Sequence, residues 1–496
     1  MSEVITFNEI PQTGWDLPRV DIEIRPNYTN AGVFEYPNRV LLFGVKLTGA
    51  PGAINTVFRV TRLSDVTARA GAGSIAEDMA RSFLAGNPFA EIFMILVADA
   101  GGATKGAGAF VYTGSPTAAG TIANYVAGFR VAVNVAAGDT PTIIAQAMRD
   151  AINAIPEMPV VATWSAGATG TTVLTAKHAI DMGGDISLLT NLAPEEVTPV
   201  GLTQAITAMT SGTGAVDLTS AIAAIAADWH PWWVLPVTDS TNMGIVITEL
   251  RRRWAATGHM DALAFAGMIG TVSAITAWLP QRNCELLSVQ TGPTGTVEPR
   301  WRLAAMLAAQ ATFYLMQDPA RQLKTLPLKG MRKPVNGNFI DTERNIIVKA
   351  GGTTFDTNQD GTCWIERCVS TNTADSQGVA TKAWQDIMAA AVATRIRYDF
   401  RTYWRLNYPR HKQAPDGSPA ADASDSTLTP QIALGVWAAR CKIYERLGWI
   451  VEADRTVRLS RATFPPDGTR NRLQMKLVYR RIDNNIQTDV ALEFEV

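Results

Sequence analysis

The stretch AIAAIAADWHPWWVLPVTDSTNMGIVITELRRRWAATGHMDALAFAG, residues 221–267, decides the fold class. It reads as helix (AIAAIAADW), strand (WWVLPV), helix (MGIVITELRRRWAA) and strand (DALAFAG) in turn. The same alternation continues downstream. TVSAITAWL predicts a helix, CELLSVQ a strand, and about Pro299 to Met316 a long helix. Strands that are apolar without interruption need cover on both faces, and parallel neighbours need helical crossovers. The expected core is therefore α/β: a largely parallel sheet with helices on both faces.

Working upstream, RVLLFGV from Arg39 is a buried-strand candidate, followed by a loop at Gly49-Ala50-Pro51-Gly52 and a second strand near Val57–Val60. Ser74 with Glu77 three residues on predicts a capping box opening a helix through about Leu84. Asn87-Pro88 ends it, and EIFMILVAD is the next buried strand. Residues 100–200 then turn rich in Gly, Ala and Thr. TIANYVAG and FRVAVNVAAG predict two strands across an Ala-Gly turn, and Thr140 and Pro141 supply N-cap and first-turn residues for the helix IIAQAMRDAINAI. With strands near Val160–Trp164 and Thr171–Ala176, this makes a small, outward-facing α+β module. The expected layout is a core of residues 33–99 and 201–381 interrupted by the 100–200 module.

The remaining segments are the two ends. Residues 382–496 predict a C-terminal α+β domain: a helix from about Lys382 through Arg397, the basic aromatic stretch RIRYDFRTYWRLNYPRHK, a loop from about Gln413 to Pro430, and a helix through Leu447. The alternating segments RTVRLSRATF, RLQMKLVYRR and TDVALEFEV then predict strands. Residues 1–32 carry Pro11, Pro18 and Pro26 around the alternating Val20-Asp21-Ile22-Glu23-Ile24. That pattern suits an extended arm with one short strand, or equally an edge strand of the main sheet.

Composition limits the function classes. A chain of 496 residues is too long for one ordinary core, so about two to four domains are expected. With 47% hydrophobic and 18% charged residues it has apolar surface to bury and no disordered character. Lys and Arg number 44 against 45 Asp and Glu, a formal charge of −1, which argues against a dedicated nucleic-acid or polybasic membrane binder. MSEVITFNEIP lacks the basic and apolar regions of a secretory signal. The most apolar runs, AEIFMILVADA and LAAMLAAQATFYLM, fall short of the roughly 20 residues that span a bilayer, so both read as core and no membrane insertion is expected.

A doubly wound core invites a search for chemistry. There is no GxSxG elbow and no Walker A sequence. Gly71-Ala72-Gly73-Ser74-Ile75-Ala76 fits only a relaxed dinucleotide fingerprint and follows the polar TRLSDVTARA, so a tight turn feeding a helix is expected. Cys284, Cys363, Cys368 and Cys441 form no CxxC pair and read as reduced thiols. Of four histidines, His230 reads as packing beside Trp229 and Pro231, and His259 with nearby Asp261 is the best general-base candidate. His178 and His411 read as solvated surface. TNQDGT at 357–362 lacks the following Glu of a calcium loop and reads as a turn. The arginines at 395, 397, 401, 405 and 410, interleaved with Tyr398, Phe400, Tyr403, Trp404 and Tyr408, suit an amphipathic helix pairing with acidic neighbours better than a nucleic-acid surface. Catalytic, cofactor and metal residues are not expected.

The order of several segments carries a family resemblance. FNEIPQTGWDLPRVDIEI, DPARQLKTLPLKGM, CWIERCVSTNTADSQGVATKAWQDI, NYPRHKQAPDG and LTPQIALGVWAARCKIYERLGWIVEAD resemble, in this sequence order, the tail sheath proteins of Mu-like contractile phages. The insertion GTIANYVAGFRVAVNVAAGDTPTIIAQAM is similar too, while Ala380 departs from an acidic residue in the family pattern. The resemblance implies a structural subunit, not an enzyme, that polymerises with itself as stacked hexameric rings around a tail tube. It implies contact with tube, baseplate and tail terminator proteins, and a place in the virion after assembly in the host cytoplasm. It further implies strand exchange through both arms, at Val20, Ile22 and Ile24 and at Val490, Leu492 and Phe494. A sheath from a phage-derived bacteriocin or secretion machine reads the same way.

Overall fold

The computed structural model describes residues 32–421, 424, 426–469 and 471–486. The arm residues Val20, Ile22, Ile24, Val490, Leu492 and Phe494 lie outside the described residues. Within them the chain is a mixed α/β protein with 11 α-helices among the described residues.

The main sheet has six strands in the order Leu287–Gly292, Leu263–Ile269, Trp232–Val234, Arg39–Val45, Glu91–Val97, Val57–Val60. The first five run parallel and the last is antiparallel to its neighbour. Strands from both sides of the 100–200 stretch thus share one sheet, with Leu41 aligned between Trp233 and Phe93. Apart from Arg39 the central strand Arg39–Val45 is wholly buried, which its unbroken apolar run requires. Helix Ile75–Gly86 packs over it and against helix Arg300–Gln317, which covers the strands Leu263–Ile269 and Trp232–Val234. Gly44 permits this approach, since a Cβ there would lie 2.6 Å from the Ala76 side chain. The strand Leu287–Gly292 is buried although it is last in the sheet. Its outer edge is covered by residue 353: Thr291 N–H donates to Thr353 O and Thr353 N–H to Val289 O, both at 2.9 Å. Covering the edge removes a template for unwanted pairing.

Between the third and fourth core strands, residues 107–207 build a four-stranded antiparallel sheet, a three-stranded antiparallel sheet and the helix Pro141–Asn153. Thr140 caps that helix by accepting from Ile143 N–H, with Pro141 in the first turn. The Gly120–Val126 and Phe129–Val135 strands join through Ala127 and Gly128, whose φ angles of 46° and 78° are the mirror-image turn that matches strand twist.

Three sequence readings change. Ser74 does cap its helix by accepting from Glu77 N–H at 3.1 Å, but the Glu77 carboxylate reaches past the cap to Gly73 N–H (2.7 Å) and the Thr67 hydroxyl (2.8 Å). The helix expected at 382–397 is Ile387–Asn407. Its start is delayed because residues 382–385 form a turn, Gln385 N–H donating to Lys382 O, that is held against Ser370, whose N–H donates to Gln385 O and whose hydroxyl donates to Trp384 O. RTVRLSRATF is not one strand: Ala453–Leu459 is helical and only Arg461–Thr463 is extended. The buried residues there are Thr456 and Ser460, four apart, whose hydroxyls bond back to Ala453 O and Thr456 O. Helical burial of polar residues is invisible to a pattern read from apolar ones.

Candidate functional site

In open α/β sheets ligands bind beyond the carboxyl ends of the strands, where the strand order reverses. Here that place lies between Arg39–Val45 and Trp232–Val234, and the segments around it are tied together by ion pairs. Arg300, heading its long helix, holds Asp185 from the inserted module (Nη2 to Oδ1, 2.9 Å) and donates to the Thr238 hydroxyl just past Trp232–Val234 (3.0 Å). Arg302, one turn-face away, pairs with Asp78 (2.7 Å) and donates to Ala127 O. The module is thus tied to the core by the Arg300–Asp185 pair and by the Arg302 bond to Ala127 O.

The histidines give no catalytic arrangement. His178 is not solvated, correcting the sequence reading: it is buried, with Nδ1 2.7 Å from Asp99 Oδ1. Its Nε2 accepts from Ile75 N–H at 3.0 Å, so the place of a nucleophile is taken by a backbone amide. The pair therefore ties the end of Glu91–Val97, the inserted module and a helix start together. His230 packs against the Phe93 ring (centroids 5.0 Å apart), and burial depresses its pKa to about 4. Asp261 is held by Arg397 (Nε to Oδ2, 2.9 Å), and among the described residues no hydrogen bond joins it to the His259 ring. His411 is half-buried against Tyr408 (4.8 Å), not solvated. TNQDGT is the turn of the Thr354–Thr357/Cys363–Arg367 hairpin, and all four cysteines are buried free thiols. Burial raises the Cys284 thiol to about 12.

What the fold does assemble is a junction between the two ends of the described residues. The helix Ile387–Asn407 carries Asp399, 1% exposed, in the middle of RIRYDFR. Asp399 Oδ1 accepts from Phe34 N–H (2.8 Å), and Oδ2 accepts from Arg440 Nε (3.0 Å) and the Tyr444 hydroxyl (2.5 Å). Arg440 also reaches Gly32 O (3.3 Å). Burial first, and the Asp399 charge second, push the Tyr444 hydroxyl well above the usual tyrosine range, so it stays a donor. Val33, with Leu477, Tyr479 and Ile482, packs onto the small apolar cluster of Ile396, Trp437, Tyr444 and Trp449. The opposite end leaves from the same unit: Arg480–Arg481 pairs antiparallel with Ile450–Val451, and Ile482 N–H donates to Trp449 O (3.3 Å). The two ends of the described residues, 32–34 and 480–482, therefore meet on one helical unit. Of the arginines in that stretch, Arg397 pairs with an acid, Asp261, within the chain, while Arg395 and Arg401 donate to the carbonyls of Met316 and His259. Asp399, Arg440 and Tyr444 were not singled out from sequence. The available signal was a lone acid inside a run of arginines and aromatics.

Over 428 residues the chain is 27% identical to the Mu-like prophage FluMu tail sheath protein of Haemophilus influenzae, covering 86% of this chain and 87% of that protein. The chain is a homologue of a Mu-like prophage tail sheath protein. Among solved structures, the sheath tail protein of Desulfitobacterium hafniense has 12% identity and a TM-score of 0.46, covering 94% of this chain and 100% of its own. The helical sheath of the anti-feeding prophage in its contracted state has 10% identity and a TM-score of 0.45, covering 97% and 99%. Structural likeness of that degree leaves the assignment resting on the sheath relative from Haemophilus. No protein-family model matches the chain.

Proposed function

We propose that this chain is the subunit of a contractile tail sheath. It polymerises as stacked hexameric rings around a tail tube and contracts to drive that tube through a host envelope for genome ejection. It works by assembly and not by catalysis. The observation that carries this reading is the sheath homology across 86% of the chain. The shared root of the two ends, at Gly32–Phe34 and at Arg480–Ile482, supports it.

Two strand-donating arms, through Val20, Ile22 and Ile24 and through Val490, Leu492 and Phe494, link each subunit to its neighbours. Backbone hydrogen bonds of an added strand survive while rigid bodies slide, so the mesh stays connected as it shortens. The extended sheath is metastable, and new contacts between core bodies in the contracted state supply the driving free energy. Tube, baseplate and terminator proteins are its partners, its place is the virion after assembly in the host cytoplasm, and it needs no cofactor. The 33–99 and 201–381 core, the 100–200 insertion and the 382–496 unit move as the working bodies. A sheath from a phage-derived bacteriocin or secretion machine would use the same parts; an α/β hydrolase would not.

Electron microscopy of the purified protein tests this. Striated tubes or rings are expected, and a small monodisperse oligomer with turnover would overturn it. Removing residues 1–24 should leave a folded subunit that does not polymerise. Unchanged polymerisation would remove the N-terminal arm from the mechanism.

A further inference from the structure

Where the insertion meets the core, one buried guanidinium and one buried carboxylate are each left with an unmet hydrogen bond. Arg302 is 8% exposed, and its Nε and Nη1 are used on Asp78 and on Ala127 O. Its Nη2 has no hydrogen-bond partner among the described residues. Glu298 is 1% exposed, and its Oε2 accepts from Arg332 N–H at 3.2 Å. Its Oε1 has no hydrogen-bond partner among the described residues and lies 3.8 Å from Arg332 Nη1. Both side chains line a cavity of about 260 Å³ between helix Ile75–Gly86, helix Arg300–Gln317, the turn at Gly128 and the loop 329–332. Arg81, Arg302, Lys329 and Arg332 there face Asp78, Glu298 and, paired with Arg81, Glu77, so the site keeps an excess of one positive charge.

We propose that this cavity binds a small oxyanion that carries its own proton, inorganic phosphate being the class that fits. A buried polar group without a partner is costly, so the favoured occupant accepts from Arg302 and donates to Glu298. Water does both and leaves the positive charge unbalanced. Sulfate balances the charge and has no proton to give at neutral pH. Hydrogen phosphate meets all three demands: its oxygens accept from Arg302 Nη2 and the Lys329 ammonium, and its hydroxyl donates to Glu298 Oε1. Burial pushes the Glu298 carboxyl above its usual range, which favours a proton held between it and the anion. The volume is below the roughly 300 Å³ at which drug-sized sites begin, so a single tetrahedral anion fits and a nucleotide does not. Seated there, the anion joins the insertion turn, the two core helices and the loop 329–332, a tie additional to the Arg300–Asp185 pair.

Calorimetric titration of the full-length chain at neutral pH, with sodium phosphate, sulfate and chloride at equal ionic strength, tests it. Phosphate should bind saturably, one per chain. Sulfate should bind at least about tenfold more weakly, because it must draw a proton from solvent onto Glu298. Lys329 is exposed, so Lys329→Met should fold normally and bind phosphate about tenfold more weakly. Lys324→Met, at a different cavity, should leave the affinity unchanged. Glu298→Gln brings an N–H donor of its own, so sulfate should then bind as well as phosphate. The proposal is overturned by any of four results: no saturable phosphate binding to the wild-type chain, equal affinity for phosphate and sulfate, equal weakening by Lys329→Met and Lys324→Met, or a phosphate preference that survives Glu298→Gln.

Discussion

Replacing Asp399 by Asn keeps its shape and removes its charge. Arg440 is 2% exposed and would be left as a buried cation facing a neutral amide. Removing one partner of a buried ion pair costs about 3–5 kcal/mol, because the other charge stays desolvated. The Phe34 N–H can still donate to the amide oxygen, and the Tyr444 hydroxyl can turn to accept from the amide NH2, so the lower part of that range applies, about 3 kcal/mol. At 1.4 kcal/mol per tenfold, opening of this unit should become roughly a hundredfold more frequent. Hydrogen exchange followed peptide by peptide reads this directly. Segments 32–38 and 430–446 should lose protection, while the inserted strands Ala107–Gly114 and Thr171–Ala176 should keep theirs. Replacing both partners, Asp399→Leu with Arg440→Met, should recover most of the loss, since an apolar pair leaves no uncompensated charge. Unchanged exchange in the single variant, or equal loss throughout the chain, would refute the view that Asp399 locally buckles the N-terminal root to the C-terminal unit.

Acid should weaken the core through His230. Its pKa is about 4 when folded against an ordinary 6.5, so the unfolded chain takes up the proton first, and stability present above pH 6.5 falls by up to ~3 kcal/mol as pH drops toward 4. Thermal melts between pH 7 and 4.5 should show a shallower pH dependence for His230→Phe; an identical slope would remove His230 as the cause. His178→Ala strands a buried Asp99 carboxylate and the Ile75 N–H, and should cost about 3 kcal/mol, seen as a lower urea midpoint and faster proteolysis at residues 100–106. A midpoint equal to wild type would mean that the junction does not depend on this pair. Gly128→Ala places a Cβ 2.3 Å from Arg332 Nη1 at a φ of 78°, so a loss of about 1–3 kcal/mol in the melt is expected, against none for Gly138→Asn, where a positive φ meets open space.

How far the sequence could be read depended on what kind of signal each element carries. The strands Arg39–Val45, Glu91–Val97 and Leu263–Ile269 were legible because burial on both faces leaves an unbroken apolar run. Helices opened by Ser74 and Thr140 were legible because an N-cap is a local hydrogen bond between near neighbours. The strand Ala107–Gly114 was passed over: its Gly- and Thr-bearing sequence gives little periodicity, and its place comes from pairing with Leu202–Thr207 and Thr171–Ala176 far along the chain. The solvated reading of His178 failed for the same reason. Its partners, Asp99 and Ile75, are 79 and 103 residues away.

The sequence by itself determined the α/β class, the capped helices, the lack of catalytic motifs and the resemblance to Mu-like sheaths, since each rests on local periodicity, local hydrogen bonding or segment order. Only the tertiary structure decided that strands on either side of the insertion share one sheet, that Arg300 and Arg302 tie the insertion to the core, and that Asp399 gathers residues 32–34 and the 430–446 helix at one point. Those are choices of partner between distant residues. A lone Asp or Arg looks the same in sequence whether it faces water or a buried counter-charge, and only folding brings that counter-charge within 3 Å.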